Sequence, residues 1–207
     1  MAVMIEHFSK IIALEPLQTK EAKHTCYAYE HGVLSRYGSC AELLTDRGSE
    51  FEGEFHACMV RNFIDHRRTS ANHPQVDGLA ERCVQTVKRS IRRYIEDQQT
   101  LTTWDEHLPY LQLGYNCSKQ ESSGHSPYHL LYARQPYFPS AALSLQMSPP
   151  LSFDNLQAEE ASKELARRSA IITSMAPIIA NRLAVAQQRH KLRYAQIRSG
   201  AYLPLIR

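Results

Sequence analysis

Apolar positions along this chain recur with two periods, and each period marks a kind of element. Residues 2–8 and 11–17 are two apolar, β-favouring runs separated by a polar break from His7 to Lys10, and they predict a hairpin. A helix is expected next, over 19–37, with Thr19 as its cap, Glu21 and Ala22 in its first turn and Gly38 as its stop. Residues 41–45 read as a buried strand running into Asp46. Residues 50–63 read as a helix with Phe51, Phe55, Met59 and Val60 on one side. The polar stretch 65–75, which includes Pro74, reads as a loop after a short edge strand near Ile64.

The longest clear helical period follows. Asp77 is a good N-cap, and Leu79, Cys83, Val84, Val87, Ile91, Tyr94 and Ile95 recur on one face of a helix that ends near Gln98. Glu81, Gln85, Lys88 and Arg92, spaced four, three and four apart, form a polar stripe on the edge of that face. Thr103-Trp104-Asp105-Glu106 has the form of a capping box and predicts a helix to about Cys117. Ser126-Pro127-Tyr128 opens a short helix through about Tyr132. Residues 134–150 are broken by proline and read as a linker. From 154 to 198 a helical pattern returns, with Leu165, Ile172, Ile179 and Ala186 every seven residues and Met175, Ala176 and Leu183 near the same seam. Pro177 is expected to kink or split it.

Composition narrows the class. At 207 residues, 43% hydrophobic and 22% charged, the chain suits one well-cored domain with an appendage. It lacks an uninterrupted apolar run of about 18 residues and a secretory signal, so the expectation is no membrane partner and a nuclear or cytoplasmic location. Five scattered cysteines without a Cys-x-x-Cys argue against a disulfide framework and against a zinc site. His24 with Cys26, and His56 with Cys58, face apart on their helices and are not expected to share a metal. The charge is asymmetric: the first 164 residues carry −5, and residues 165–207 carry eight Lys or Arg and no acid. Such a tail suits an anionic partner, nucleic acid first, although a solvated helix has the same composition.

Asp46, at a strand end, and Glu81, in the first turn of a helix, lie 35 positions apart. Two carboxylates from such positions suit a divalent metal beside a phosphate, because Mg²⁺ takes hard oxygen ligands. Taken singly, each has a plainer role, Asp46 as a turn former and Glu81 as a complement to the helix dipole.

Taken together, the motifs Leu44-Thr45-Asp46-Arg47-Gly48-Ser49-Glu50-Phe51, Ser70-Ala71-Asn72-His73-Pro74-Gln75-Val76-Asp77-Gly78, Ala80-Glu81-Arg82, Tyr115-Asn116 and Ser126-Pro127-Tyr128 resemble the catalytic core of retroviral and gypsy-type retrotransposon integrases. Val3-Met4-Ile5-Glu6-His7-Phe8-Ser9-Lys10 extends the resemblance upstream, so that it covers most of residues 2–139. It implies a ribonuclease H-like α/β core over 1–139, with a mixed sheet of order 3-2-1-4-5 whose first, central strand is missing here. A linker at 140–153 and a basic helical extension at 154–207, leading towards an absent C-terminal domain, complete the expected organisation. The zinc-binding module that often precedes such cores is also absent.

By resemblance Asp46 is the second Asp and Glu81 the Glu of an Asp, Asp, Glu triad holding Mg²⁺ or Mn²⁺. Gln85, Lys88, Arg92 and His73 correspond to DNA-contacting positions. The implied activity is metal-dependent DNA strand transfer. With one acid missing, the chain alone is expected to be inactive and to bind the metal weakly or not at all. The partners implied are DNA and further copies of the chain. The alternative is a non-catalytic remnant, or a module adopted by a host, that serves nucleic-acid binding or assembly.

Overall fold

The computed structural model describes residues 1–69, 74–98, 103–136 and 158–198; the side chains of 74–81, 97–98, 158–161, 190 and 193–198 lie outside that description. The linker 140–153 and the end of the tail are therefore not described. The chain divides into two compact units, one of Met1–Glu6 with Ile11–Tyr115, the other of His7–Lys10 with Asn116–Arg207.

In the first unit, β1 (Ala2–Ile5) and β2 (Ile12–Glu15) pair antiparallel with Ala2 opposite Glu15 and Ile5 opposite Ile12. The apolar alternation thus gives the expected hairpin. A helical stretch follows in three parts: α1 (Ala22–Tyr29), a π-helical turn Glu30–Leu34 and a closing turn Ser35–Tyr37, ended by Gly38 at φ 83°. The expected cap is corrected. Glu21 holds the N-cap position with no side-chain bond, whereas Thr19 turns its hydroxyl to His24 Nδ1 at 2.7 Å.

β3 (Glu42–Thr45) pairs parallel with β4 (Asp65–Arg68), Glu42 opposite Asp65 and Thr45 opposite Arg68. The Asp-His-Arg-Arg run, expected as loop, is a strand because its charges find partners. Arg67 bridges Asp65 Oδ2 at 2.9 Å and Glu42 Oε1 at 3.4 Å, and Arg68 reaches Glu52 at 3.0 Å. The two pairs form two separate two-stranded sheets. Between β3 and β4 lie a 3₁₀ turn, Ser49–Phe51, and α2 (Glu54–Arg61). Phe55 and Met59 are buried as expected, but Val60 is exposed and Cys58 takes the inner place. These side chains form one core with Cys26, Tyr29 and Ile64.

The next helix, α3, spans Pro74–Gln98. It starts before the expected cap at Asp77, consistent with the preference of proline for a first helical turn, where no N–H is needed. Its Cys83 and Val87 join Ile12, Leu14 and Leu108 in a second core. Trp104–His107 is a 3₁₀ turn leading into α4 (Leu108–Cys117). Thr103 precedes it without a side-chain cap bond, so the capping box does not form.

In the second unit, α5 (Pro127–Tyr132) begins as expected, with the Ser126 hydroxyl accepting from His129 N at 3.2 Å. α6 (Ala158–Arg198) is one helix with Pro177 inside it, so the proline does not split it. Its seam is unevenly covered: Ile179 is 1% exposed and Leu183 buried, whereas Leu165 is 66% exposed and Ile172 is also open. Ser162–Arg189 is long and apolar enough to cross a membrane by length and composition, a property that core helices of soluble proteins share.

α2 ends at a residue poorly suited to its backbone. Phe63 has φ 58° and is 94% exposed, while Ile64 N donates back to Met59 O at 2.9 Å. This left-handed turn normally falls to glycine. Phe63→Gly is expected to raise stability by about 0.5–1 kcal/mol, read as a higher urea midpoint; a lower midpoint would mean that the exposed ring has a partner.

Candidate metal and nucleic-acid site

The end of β3 is held by its parallel neighbour. Beyond the strand register, Asp65 N donates to Ala41 O at 3.0 Å and Thr69 N to Thr45 O at 2.8 Å. The chain then turns sharply at Asp46, whose Oδ1 accepts from Gly48 N at 2.9 Å. That bond is an Asx turn, the local role expected of an aspartate in Thr-Asp-Arg-Gly. It also fixes an exposed carboxylate at a strand end. A Cβ on Gly48 would lie 2.5 Å from the Glu50 carboxylate, so the glycine lets a second acid fold back over the turn.

A chain of side chains that sequence reasoning missed supports this turn. Thr45, buried, donates its hydroxyl to Asp46 O at 3.0 Å and also lies 2.9 Å from His66 Nε2. His66 Nδ1 lies 3.1 Å from His56 Nδ1. With the threonine proton committed to Asp46 O, the consistent assignment has His66 Nε2–H donating to Thr45 and His66 Nδ1 accepting from His56. The assignment requires a neutral His66. Burial first, then the charges of His56 and Arg68, lower its pKa below the usual 6.5. The signal available in the sequence was only a histidine on what proved to be a strand register facing Leu43.

Glu81 lies on α3 two residues before the buried Cys83; its side chain is outside the described residues, so its approach to Asp46 is not fixed by contacts. Cys83 faces inward, and burial raises its thiol pKa to about 11, with Tyr115 beside it raised to about 12 by the same cause. Gln85, Lys88 and Arg92 are exposed on α3. The polar stripe thus lies away from the core, as its spacing required. His73 lies outside the described residues. The carboxylate at Asp46 suits Mg²⁺, which takes one or two carboxylates and keeps several waters.

The pH dependence of the β3 turn follows from His66. Its lowered folded pKa means that the unfolded chain binds the proton more tightly. The contribution is complete above pH 6.5 and is lost as pH falls below 6.5 through the lower folded value. Chemical denaturation at pH 5 and pH 7.5 is expected to show less stability at pH 5, and the difference should shrink in His66→Gln. An unchanged difference would assign it to other groups.

No family model matches the chain. It is 26% identical over 149 residues to the retrovirus-related Pol polyprotein from transposon 412 of Drosophila melanogaster, which covers 72% of the chain. It is 23% identical over 140 residues, 68% of the chain, to the gypsy retrotransposon integrase-like protein 1 of Bos taurus. The chain spans 12% and 28% of those relatives' own lengths. The HTLV-2 integrase catalytic core, solved in complex with magnesium, superposes with a TM-score of 0.52 at 21% identity, over 61% of this chain and 80% of that one. The homologues are retrotransposon Pol polyproteins and gypsy integrase-like proteins, and the fold is that of retroviral integrase cores, ribonuclease H-like.

Proposed function

We propose that this chain is an integrase-like, nucleic-acid-binding core of retrotransposon origin, with a divalent-cation position at Asp46 and Glu81. The observation that carries the reading is the turn after β3, which holds an exposed carboxylate at a strand end by its bond to Gly48 N. The other acid is assigned to α3, whose inner face packs on the hairpin through Cys83 and Val87. Mg²⁺ or Mn²⁺ at such a site would supply Lewis-acid stabilisation of a phosphoryl oxygen. We place the core over residues 1–139, the linker over 140–153 and the basic extension over 154–207.

We further assign the first acid of the triad to a strand outside this sequence, between β1 and β3. Support comes from the pairing: β1 has only β2 as a partner, and β3 only β4. With two carboxylates the site holds the ion weakly, since Mg²⁺ dehydrates reluctantly and demands near-octahedral ligands. Gln85, Lys88, Arg92 and His73 are assigned to DNA, and the open Leu165 and Ile172 to contact between copies. The expected location is nuclear or cytoplasmic, where the DNA lies. The alternative, a non-catalytic module for nucleic-acid binding or assembly, shares the same DNA surface and differs only in catalytic outcome.

DNA binding is expected to fall steeply with salt, because each phosphate neutralised releases counterions. Replacing Lys88 and Arg92 by Gln should lower the slope of log K against log salt by about two, and replacing Arg189 and Lys191 by about two more. A slope unmoved by all four substitutions would sink the assigned surface.

Catalysis gives the second check. With Mg²⁺ or Mn²⁺ and a duplex DNA end, the 207-residue chain should show no 3′-end processing or strand transfer. Turnover that disappears in Glu81→Gln would instead mean that an acid within this chain completes the triad.

A further inference from the structure

The first unit brings together two cysteines that lie 32 positions apart in the chain, Cys26 on α1 and Cys58 on α2, both buried. Glu30 sits one helical turn beyond Cys26 and opens the π-helical turn. Cys58 Sγ donates to Glu30 Oε1 at 3.4 Å. The two sulfurs and a Glu30 oxygen all lie within 4.8 Å of one another. We propose that Cys26, Cys58 and Glu30 bind a borderline-soft divalent cation of the zinc class, at a site separate from the hard-cation position assigned to Asp46 and Glu81.

The geometry is close to what such an ion needs. Zn–S bonds of about 2.3 Å and Zn–O bonds of about 2.0–2.2 Å in a tetrahedron put neighbouring ligand atoms about 3.5–3.8 Å apart. Side-chain rotation of about 1 Å closes the difference. Cys26 and Glu30 are i and i+4 on one helix and reach the same side of it. The third ligand comes from the helix packed against them, since both cysteines belong to one core. π-Helical turns gather at functional sites, and this one places its first residue at the cluster.

The charges also balance. Two thiolates and a carboxylate carry −3 against +2 on the ion. Arg61 Nη2, 4.0 Å from Glu30 Oε1, compensates the remainder. Asn62 Nδ2 donates to Cys58 Sγ at 3.6 Å, a bond that favours sulfur as an acceptor. Without metal, burial raises the Cys26 thiol pKa to about 12, which keeps it protonated and unreactive. Uptake therefore forms two M–S bonds and one M–O bond and releases two protons to solvent. Glu30 is half exposed, so a fourth position opens towards water. Three protein ligands with one open place is the arrangement of exchangeable rather than purely structural zinc sites.

The test is titration of the reduced full-length chain with Co²⁺, a spectroscopic stand-in for zinc. One equivalent should bind, with a thiolate-to-cobalt charge-transfer band, and Zn²⁺ but not excess Mg²⁺ should displace it. Cys26→Ser and Cys58→Ser should each halve the band or abolish it, while Cys117→Ser leaves it intact. Glu30→Gln keeps the core and both sulfurs, and should weaken binding about tenfold or more with the band retained. The proposal is overturned if folded, reduced wild-type chain gives no band. It is equally overturned if the band survives Cys58→Ser in a chain shown folded by circular dichroism, or if Glu30→Gln binds as tightly as wild type. A loss of binding in Asp46→Asn with the cysteine variants unaffected would place the ion at the hard site instead, so this proposal and the integrase reading fail separately.

Discussion

Strand β2 imposes the main physical constraint on the first unit, because all four of its residues, Ile12 to Glu15, are buried. Its apolar side chains Ile12 and Leu14 need a cover, and Cys83, Val87 and Leu108 supply it from two helices. Its backbone needs partners as well; besides the β1 ladder, Leu14 N donates to Gln112 Oε1 at 2.7 Å. Its last residue brings a carboxylate inside. Glu15 is answered by Arg36 at 3.0 Å and His31 at 3.1 Å, both from the helical stretch after α1. An unanswered charge there would be strongly destabilising, so the helical stretch is tied to the hairpin by electrostatics as well as by packing. The position of α3, and with it the assigned Glu81, depends on the same strand.

Elements whose periods are apolar were legible from the residues alone. The hairpin, the inner face of α3 and the start of α5 all follow from side chains that have one reason to be where they are. The misses have a common origin in polar residues with a choice of partner. Asp65–Arg68 looks like loop until Glu42 and Glu52 are placed beside it. Thr19 and Thr103 have the chemistry of caps, yet Thr19 bonds His24 and Thr103 makes no side-chain cap bond. Pro177 was read as an interruption, but a helix of 41 residues retains enough other ladder bonds to pass through it.

The candidate site divides in the same way. The turn at Asp46 was visible because an aspartate two residues before a glycine has few other uses. The Thr45, His66 and His56 chain behind it was not, since it joins three elements through ring nitrogens whose direction no spacing encodes. The meeting of Cys26 with Cys58 was hidden for the same reason: it depends on how α1 packs on α2, not on separation along the chain.

The π-helical turn at Glu30–Leu34 changes the phase of its helix. Before it, Cys26 and Tyr29 look towards α2; after it, Arg36 looks towards Glu15. Gly32, in its middle, lets the hairpin come so close that a Cβ there would meet Glu15 Cγ at 2.8 Å and Met4 Cε at 3.0 Å. A wide turn amounts to one residue inserted into an ordinary helix, worth about 100° of rotation. Deleting a single residue in this segment would straighten the helix and remove no named contact, yet it would swing Arg36 off the buried carboxylate. Length at this place is therefore constrained as tightly as residue identity, and a change in the number of residues would cost the fold more than most changes in their kind.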